Sequence, residues 1–399
     1  MTKESLSKPA ASTRALRWLA VLGLFGVGPV AHAEDAPPFA PVEVRVSFAP
    51  SPFTGSDNVM HLAYELQVTN VYGDTGPLRP RSLDVLDEHD RLLLHLDEAG
   101  VEGAVRPAPD QGKPATIDAG KRSTLFVWID LPAGAAPHAL HHHLLFTDDK
   151  GRSSRVDGVP VAVSDHAPLR LGAPLKGGLW LAHEGPGNAH SHHWGSLVAV
   201  NGTLTIPQRF AIDFVGIDKH GRAFKPVKDI HATSYADWFG YGAQVLAVGN
   251  GIVVAAHDGQ EEHKPLEGQP QPASLSLDGL FGNYVVIDLG GGNFAGYAHL
   301  RRGSIAVKVG DKVMKGQVIG ALGQSGNSAA PHLHFQIANA VTFEGSEGVP
   351  FVFDRVDSYG SENEGQLFGV GDQWKLGSAQ HGLDQLPLSD TVVTFPSSR

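Results

Sequence analysis

Apolar and polar residues alternate along short runs through most of the chain. Val42–Phe48, His61–Val68, Ser123–Asp130 and Leu140–Phe146 each put every second residue on one face, which is the period of a strand. Turn residues separate these runs at Tyr72–Gly76, Asp118–Gly120 and Asp149–Gly151. The spacing predicts a β-sandwich over 42–164, preceded by a Pro-rich lead-in at 34–41. A linker is predicted at 165–180. Strand patterns resume over 181–342, interrupted by a long loop from Asp258 to Gly282. After the strand-like Val349–Phe353 the sequence turns loose and polar, so 343–399 reads as a C-terminal tail. The predicted fold class is all-β. The run His141-His142-His143 lies inside a strand pattern and reads as one strand face plus an exposed edge, not as a metal site.

The first 33 residues carry a different pattern. Lys3, Lys8, Arg14 and Arg17 precede the apolar run Trp18–Val27, and Ala31-His32-Ala33 offers small residues for a signal peptidase. The run is shorter than the roughly 20 apolar residues a spanning helix needs. A cleaved signal peptide is therefore expected, with Glu34 as the new N-terminus and no transmembrane anchor. The product would be periplasmic or secreted.

Composition narrows the chemistry. The net charge is −11, which gives no basic excess to neutralise phosphates and argues against nucleic acid as a partner. There is no cysteine, so disulfides, thiolate metal sites, thiol nucleophiles and a lipoprotein anchor are excluded. Histidine is abundant, and 11 of the 21 lie between 183 and 334. A metal in this chain would be held by His and carboxylates.

The sharpest motif is Pro331-His332-Leu333-His334-Phe335-Gln336-Ile337. On a strand, His332, His334 and Gln336 share one face, while Leu333, Phe335 and Ile337 point into a core. Its histidines belong to the piece Ser325–Phe335, before which stand Tyr297-Ala-His-Leu300 and Val309–Gln317, and earlier still Gly242–Val254. In this order the pieces resemble the lysostaphin-like zinc endopeptidases, the M23 family of cell-wall hydrolases, over 183–342. The resemblance implies a lysostaphin-type antiparallel β catalytic domain with barrel-sandwich-hybrid character, following an immunoglobulin-like sandwich. It also implies one Zn2+ ion and peptidoglycan stem peptides or cross-links as substrate. Carried over residue by residue, it makes His334 and Asp213 metal ligands and His299 and His332 catalytic. A catalytic zinc takes three protein ligands and leaves a position for water, and neutral-range histidines suit the acid and base roles. Tyr241, Tyr284 or Tyr297 could orient a carbonyl. The piece Val309–Gln317 also resembles half of a biotinyl or lipoyl carrier barrel, with Lys315 as its modified residue, but a carrier needs no His-x-His.

The sequence departs from the family pattern at one place. Four residues before Asp213, where the family has its first ligand histidine, stands Arg209. A guanidinium stays protonated and cannot bind zinc. The cluster His190-Ser191-His192-His193 is the nearest donor. An Asn201-Gly202 hairpin would return the chain from His193 toward Phe210–Asp213, so His193 is expected as the third ligand, with His192 the alternative and His190 more distant. Arg209 also admits a different function: an inactive scaffold that binds and regulates another cell-wall hydrolase.

Overall fold

Strand alternation decides which residues meet. In Met60–Asn70, Leu62, Tyr64, Leu66 and Val68 face one way, and His61, Ala63, Glu65 and Gln67 the other. The strand pairs antiparallel with Val42–Arg45 and Arg122–Leu131 in a five-stranded sheet. A second five-stranded sheet is built around Ala139–Thr147 and Arg79–Asp87. The two sheets close on one buried cluster, which takes Leu62 and Tyr64 from the first and Leu83, Leu144 and Phe146 from the second. His142 points into it. Its Nδ1–H donates to the Val159 carbonyl at 2.7 Å, its Nε2 lies 2.8 Å from the Tyr64 hydroxyl, and burial pushes its pKa down to about 4. His143 is exposed on the opposite face, but the strand is paired on both sides, with His143 opposite Asp84 and Asp157, so it is not the edge expected from the sequence.

The structure is a computed structural model, and it describes residues 36–268 and 275–396. The signal segment 1–33 and its cleavage site lie outside the described residues. Strands make up 40% of the described residues and helices 7%, which establishes the all-β class. Among the described residues, no helix is long and apolar enough to cross a membrane.

Ten further strands form an antiparallel sheet, beside three two-stranded sheets. Its order is Lys312–Val313, Gly251–His257, Tyr284–Asp288, Phe294–Ala298, Leu333–Ala338, Ile212–Ile217, Leu179–His183, Thr391–Thr394, Val356–Ser361 and Gln380–Gly382. The two end strands do not pair with each other, so the sheet is open, and among the described residues no closed barrel forms. Segments read from the sequence as a linker and a loose tail are part of this architecture. Leu169–Leu171 pairs in parallel with Phe351–Phe353, and Thr391–Thr394 pairs directly with Leu179–His183. These strands have three to five residues. A run that short carries too few positions for a period to stand out.

Pro38–Arg399 is one compact unit. The reason lies in the second face of the first sheet. Ala63 and Phe126, together with Phe53, join Trp194, Phe210, Ile212 and the aromatic core of the large sheet in a single cluster. The first sheet is thus covered on both sides.

Candidate metal centre

Register builds the site. Strand Ile212–Ile217 pairs with Leu333–Ala338 so that Asp213 stands opposite His334. His334 is in turn opposite Ala298, which places His299 just beyond the end of the next strand. Directly opposed residues carry their Cβ atoms about 4.5–5.5 Å apart on one face. As predicted, Leu333, Phe335 and Ile337 enter the core, which leaves His334 and Gln336 on the site face. The His334 Nδ1 lies 2.9 Å from the Asp213 Oδ1.

His193 arrives from a turn. The hairpin Val198–Val200 to Thr203–Thr205 forms as predicted, with φ of 49° at Asn201 and 80° at Gly202, the left-handed pair that Asn-Gly favours. Before it, residues 191–195 fold tightly. The Gly195 N–H donates to the Ser191 carbonyl at 2.8 Å, and a Cβ on Gly195 would sit 2.8 Å from that oxygen. The turn aims the His193 Nε2 to 3.1 Å from the His334 Nδ1 and 3.4 Å from the Asp213 Oδ1. Donor atoms of His193, Asp213 and His334 therefore lie within 3.4 Å of one another. His192, His193 and Asp213 also make a compact donor group, but His192 is the outer member. Its side chain is 62% exposed, its Nε2 is 3.8 Å from the Asp213 Oδ2, and its Nδ1 faces the Glu184 carboxylate at 3.4 Å. His190 turns away to Arg106, 2.8 Å from its Nδ1.

The outward nitrogens are tethered. His193 Nδ1–H donates to the Glu184 carbonyl at 2.9 Å, and His334 Nε2–H donates to the Gln336 Oε1 at 2.9 Å. His332 Nδ1–H donates to the Ala330 carbonyl at 2.7 Å, and His299 Nδ1–H to the Ser325 carbonyl at 2.8 Å. Each tether fixes a tautomer and leaves the other nitrogen with its lone pair free. For His193 and His334 that lone pair points at Asp213. His332 Nε2 also reaches the Asp213 Oδ1, at 3.4 Å. The His299 ring stands 4.7 Å from that of His332 and 5.9 Å from that of His334. His299 is itself in the left-handed region, with φ of 60°. Its N–H bonds to the Phe281 carbonyl and its carbonyl to the Gly323 N–H.

Electrostatics agree with a cation site. Burial pushes the His193 pKa down to about 4, against the pull of Asp213. Burial, with His332 and His334 adding to it, holds His299 well below the usual imidazole range. Burial opposes ionisation of Asp213, but the His332 and His193 imidazoles outweigh it and hold the carboxyl well below its usual range. His193 is thus disfavoured as a cation and Asp213 favoured as a carboxylate, the protonation states a divalent metal requires of its ligands.

Arg209 takes no part in this group. Its guanidinium points toward the first sheet, where Nε and Nη2 donate to the Glu65 carboxylate at 2.9 and 2.6 Å, and Nη1 meets Glu347. The three hydroxyls considered for the carbonyl are engaged elsewhere: Tyr241 donates to Glu262, Tyr284 to Asp278, and Tyr297 is a core residue that accepts from the Val248 N–H. Sequence reasoning missed Glu184, whose carbonyl accepts from both His193 and Ser191 and whose φ is 53°. It sits at a strand end among polar residues, and only the folded turn marks it.

Comparison with known proteins places a familiar segment over part of this site. Residues 236–346 match peptidase family M23. Over 93 residues the chain is 38% identical to the peptidoglycan DD-endopeptidase ShyA of Vibrio cholerae, covering 21% of this chain and 20% of that protein. Over 141 residues it is 31% identical to the glycyl-glycine endopeptidase ALE-1 of Staphylococcus capitis, covering 33% of this chain and 36% of that protein. The chain thus spans about a fifth to a third of the length of these relatives. Among solved structures, the catalytic domain of lysostaphin from Staphylococcus simulans aligns at 23% identity and a TM-score of 0.23, covering 44% of this chain and 88% of that one. The family match includes His299, His332 and His334 and begins after His193 and Asp213.

Proposed function

We propose that this chain, with an M23 peptidase segment at 236–346, is an exported zinc metalloendopeptidase that hydrolyses peptide bonds in peptidoglycan stem peptides or cross-links. The observation that carries the reading is the convergence of His193, Asp213 and His334, with His299 and His332 beside them. The names of the relatives, a peptidoglycan DD-endopeptidase and a glycyl-glycine endopeptidase, support the substrate class.

The donor set fits zinc. Two neutral imidazoles and one carboxylate are the ligands of a three-ligand catalytic site, and tethered outer nitrogens are the usual companions of metal-bound histidine. When bound, the ion supplies positive charge that polarises a carbonyl and acidifies water. The chain's own residues do the rest. Asp213 and the tethers on His193 and His334 fix the ligand lone pairs. His299 and His332, each with Nδ1–H committed to a backbone carbonyl, present Nε2 for proton transfer. They divide the acid and base roles between them.

Metal analysis of the purified protein and release of peptides from purified peptidoglycan test the reading together. One zinc per chain and chelator-sensitive hydrolysis are expected. His299→Ala and His332→Ala are each expected to slow hydrolysis by about 10²–10⁴-fold while retaining zinc. A variant that purified metal-free would show that residue to be a ligand. A wild-type protein that took up no zinc would leave the inactive scaffold as the reading. Export predicts Glu34 as the first residue of protein recovered outside the cytoplasm; N-terminal sequencing that begins at Met1 would contradict it.

A further inference from the structure

Glu65 belongs to the strand Met60–Asn70, far in sequence from the candidate metal ligands, yet its carboxylate touches the neighbours of two of them. Oε1 accepts from the indole N–H of Trp194, the residue after His193. Oε1 and Oε2 accept from Arg209, four residues before Asp213. Trp194 is 2% exposed and packs edge-on against Phe126 and Trp128 of the adjoining strand, at 5.3 and 6.0 Å. Side chains 193 and 194 thus leave the 191–195 turn in different directions, one to Asp213 and His334, the other into the first sheet. The two side chains share the backbone of that turn, so a displacement of the turn at Trp194 displaces His193 as well.

We infer that Glu65 is a positioning residue of the metal site, setting the separation of His193 and Asp213 by holding Trp194 and Arg209 on one carboxylate. The inference rests on reading His193, Asp213 and His334 as metal ligands. The chemistry calls for an ionised carboxylate. It accepts three N–H donors at once, and it balances the guanidinium it faces. A glutamine has one acceptor oxygen, and its NH2 would confront donors. The first sheet thereby becomes part of the site, although it supplies no ligand.

Glu347 provides the control. It binds the other side of the Arg209 guanidinium and accepts from the Ile206 N–H, with no bond to Trp194. The test uses the full chain loaded with zinc or cobalt(II), chelator competition for affinity, and the cobalt absorption spectrum for geometry. Glu65→Gln is expected to lower zinc affinity by about 10–100-fold, the usual effect of losing an outer partner of a ligand, and to change the cobalt spectrum. Glu347→Gln is expected to lower the denaturation midpoint while leaving affinity and spectrum as in the wild type. Trp194→Phe keeps an aromatic ring in place and removes only the donor. It should shift the spectrum in the same sense as Glu65→Gln, and it decides the matter if Glu65→Gln does not fold. Wild-type affinity and spectrum in both Glu65→Gln and Trp194→Phe would overturn the inference and leave Glu65 a structural residue only. A wild-type protein that bound neither metal would instead overturn the ligand assignment on which it rests.

Discussion

Alanine at position 193 is expected to strip the protein of zinc and leave it folded. The proposed ligands are His193, Asp213 and His334, and removing one leaves two, fewer than zinc sites retain. Structural zinc sites with four ligands bind with about 10–16 kcal/mol. One ligand is then worth roughly 3–4 kcal/mol, or about 10²–10³-fold in affinity. The fold should survive, because Trp194 remains wedged on the first sheet and the Gly195 N–H to Ser191 bond still closes the turn. His192→Ala is the matched variant. Its side chain is largely exposed and paired with Glu184, so zinc should stay at one per chain. Zinc per chain, chelator competition and circular dichroism read the outcome. Zinc kept in His193→Ala but lost in His192→Ala would transfer the role. Zinc kept in both would remove the turn from the site.

The relation between sequence and structure differs along the chain for physical reasons. His332-x-His334-x-Gln336 was legible because a strand's period of two assigns faces from the sequence alone, and the core side of that motif is buried as read. The Asn201-Gly202 hairpin was legible because few residues take two successive left-handed conformations readily. The choice between His192 and His193 was not. Both lie in the same turn, and only the tight 191–195 fold turns one imidazole inward. Glu65 was illegible for a different reason. Alternation tells which residues of Met60–Asn70 share a face with it, but not what covers that face. In a sandwich standing alone, His61, Glu65 and Gln67 would meet solvent. Here all three are buried beneath the His193 turn and its neighbours or against their own sheet.

Arg209 shows the same limit, and it carries the largest expected effect on stability. The sequence shows that it cannot bind zinc; the structure shows what it does instead. Its guanidinium is 5% exposed between the side chains of Glu65 and Glu347, at 10% and 6%. Arg209→Ala would leave two carboxylates buried without their shared cation. Breaking a buried pair in this way costs about 3–5 kcal/mol, because the unpaired charge cannot return to water. The denaturation midpoint of the metal-free protein should fall accordingly, and Arg209→Lys should fall between, since an ammonium cannot reproduce the planar fork. Saturating zinc should still fill the site in Arg209→Ala, because no ligand has been removed, and should raise its midpoint by mass action. The combined replacement Glu65→Leu, Arg209→Met, Glu347→Leu separates stability from positioning. Removing all three charges at once leaves none unpaired, so stability should return to near the wild-type value or above it. Trp194 would still lack its acceptor, so the affinity for zinc should remain low. Full recovery of both would mean that packing alone aligns His193 with Asp213, and that the buried ion cluster serves only to join the two halves of the protein.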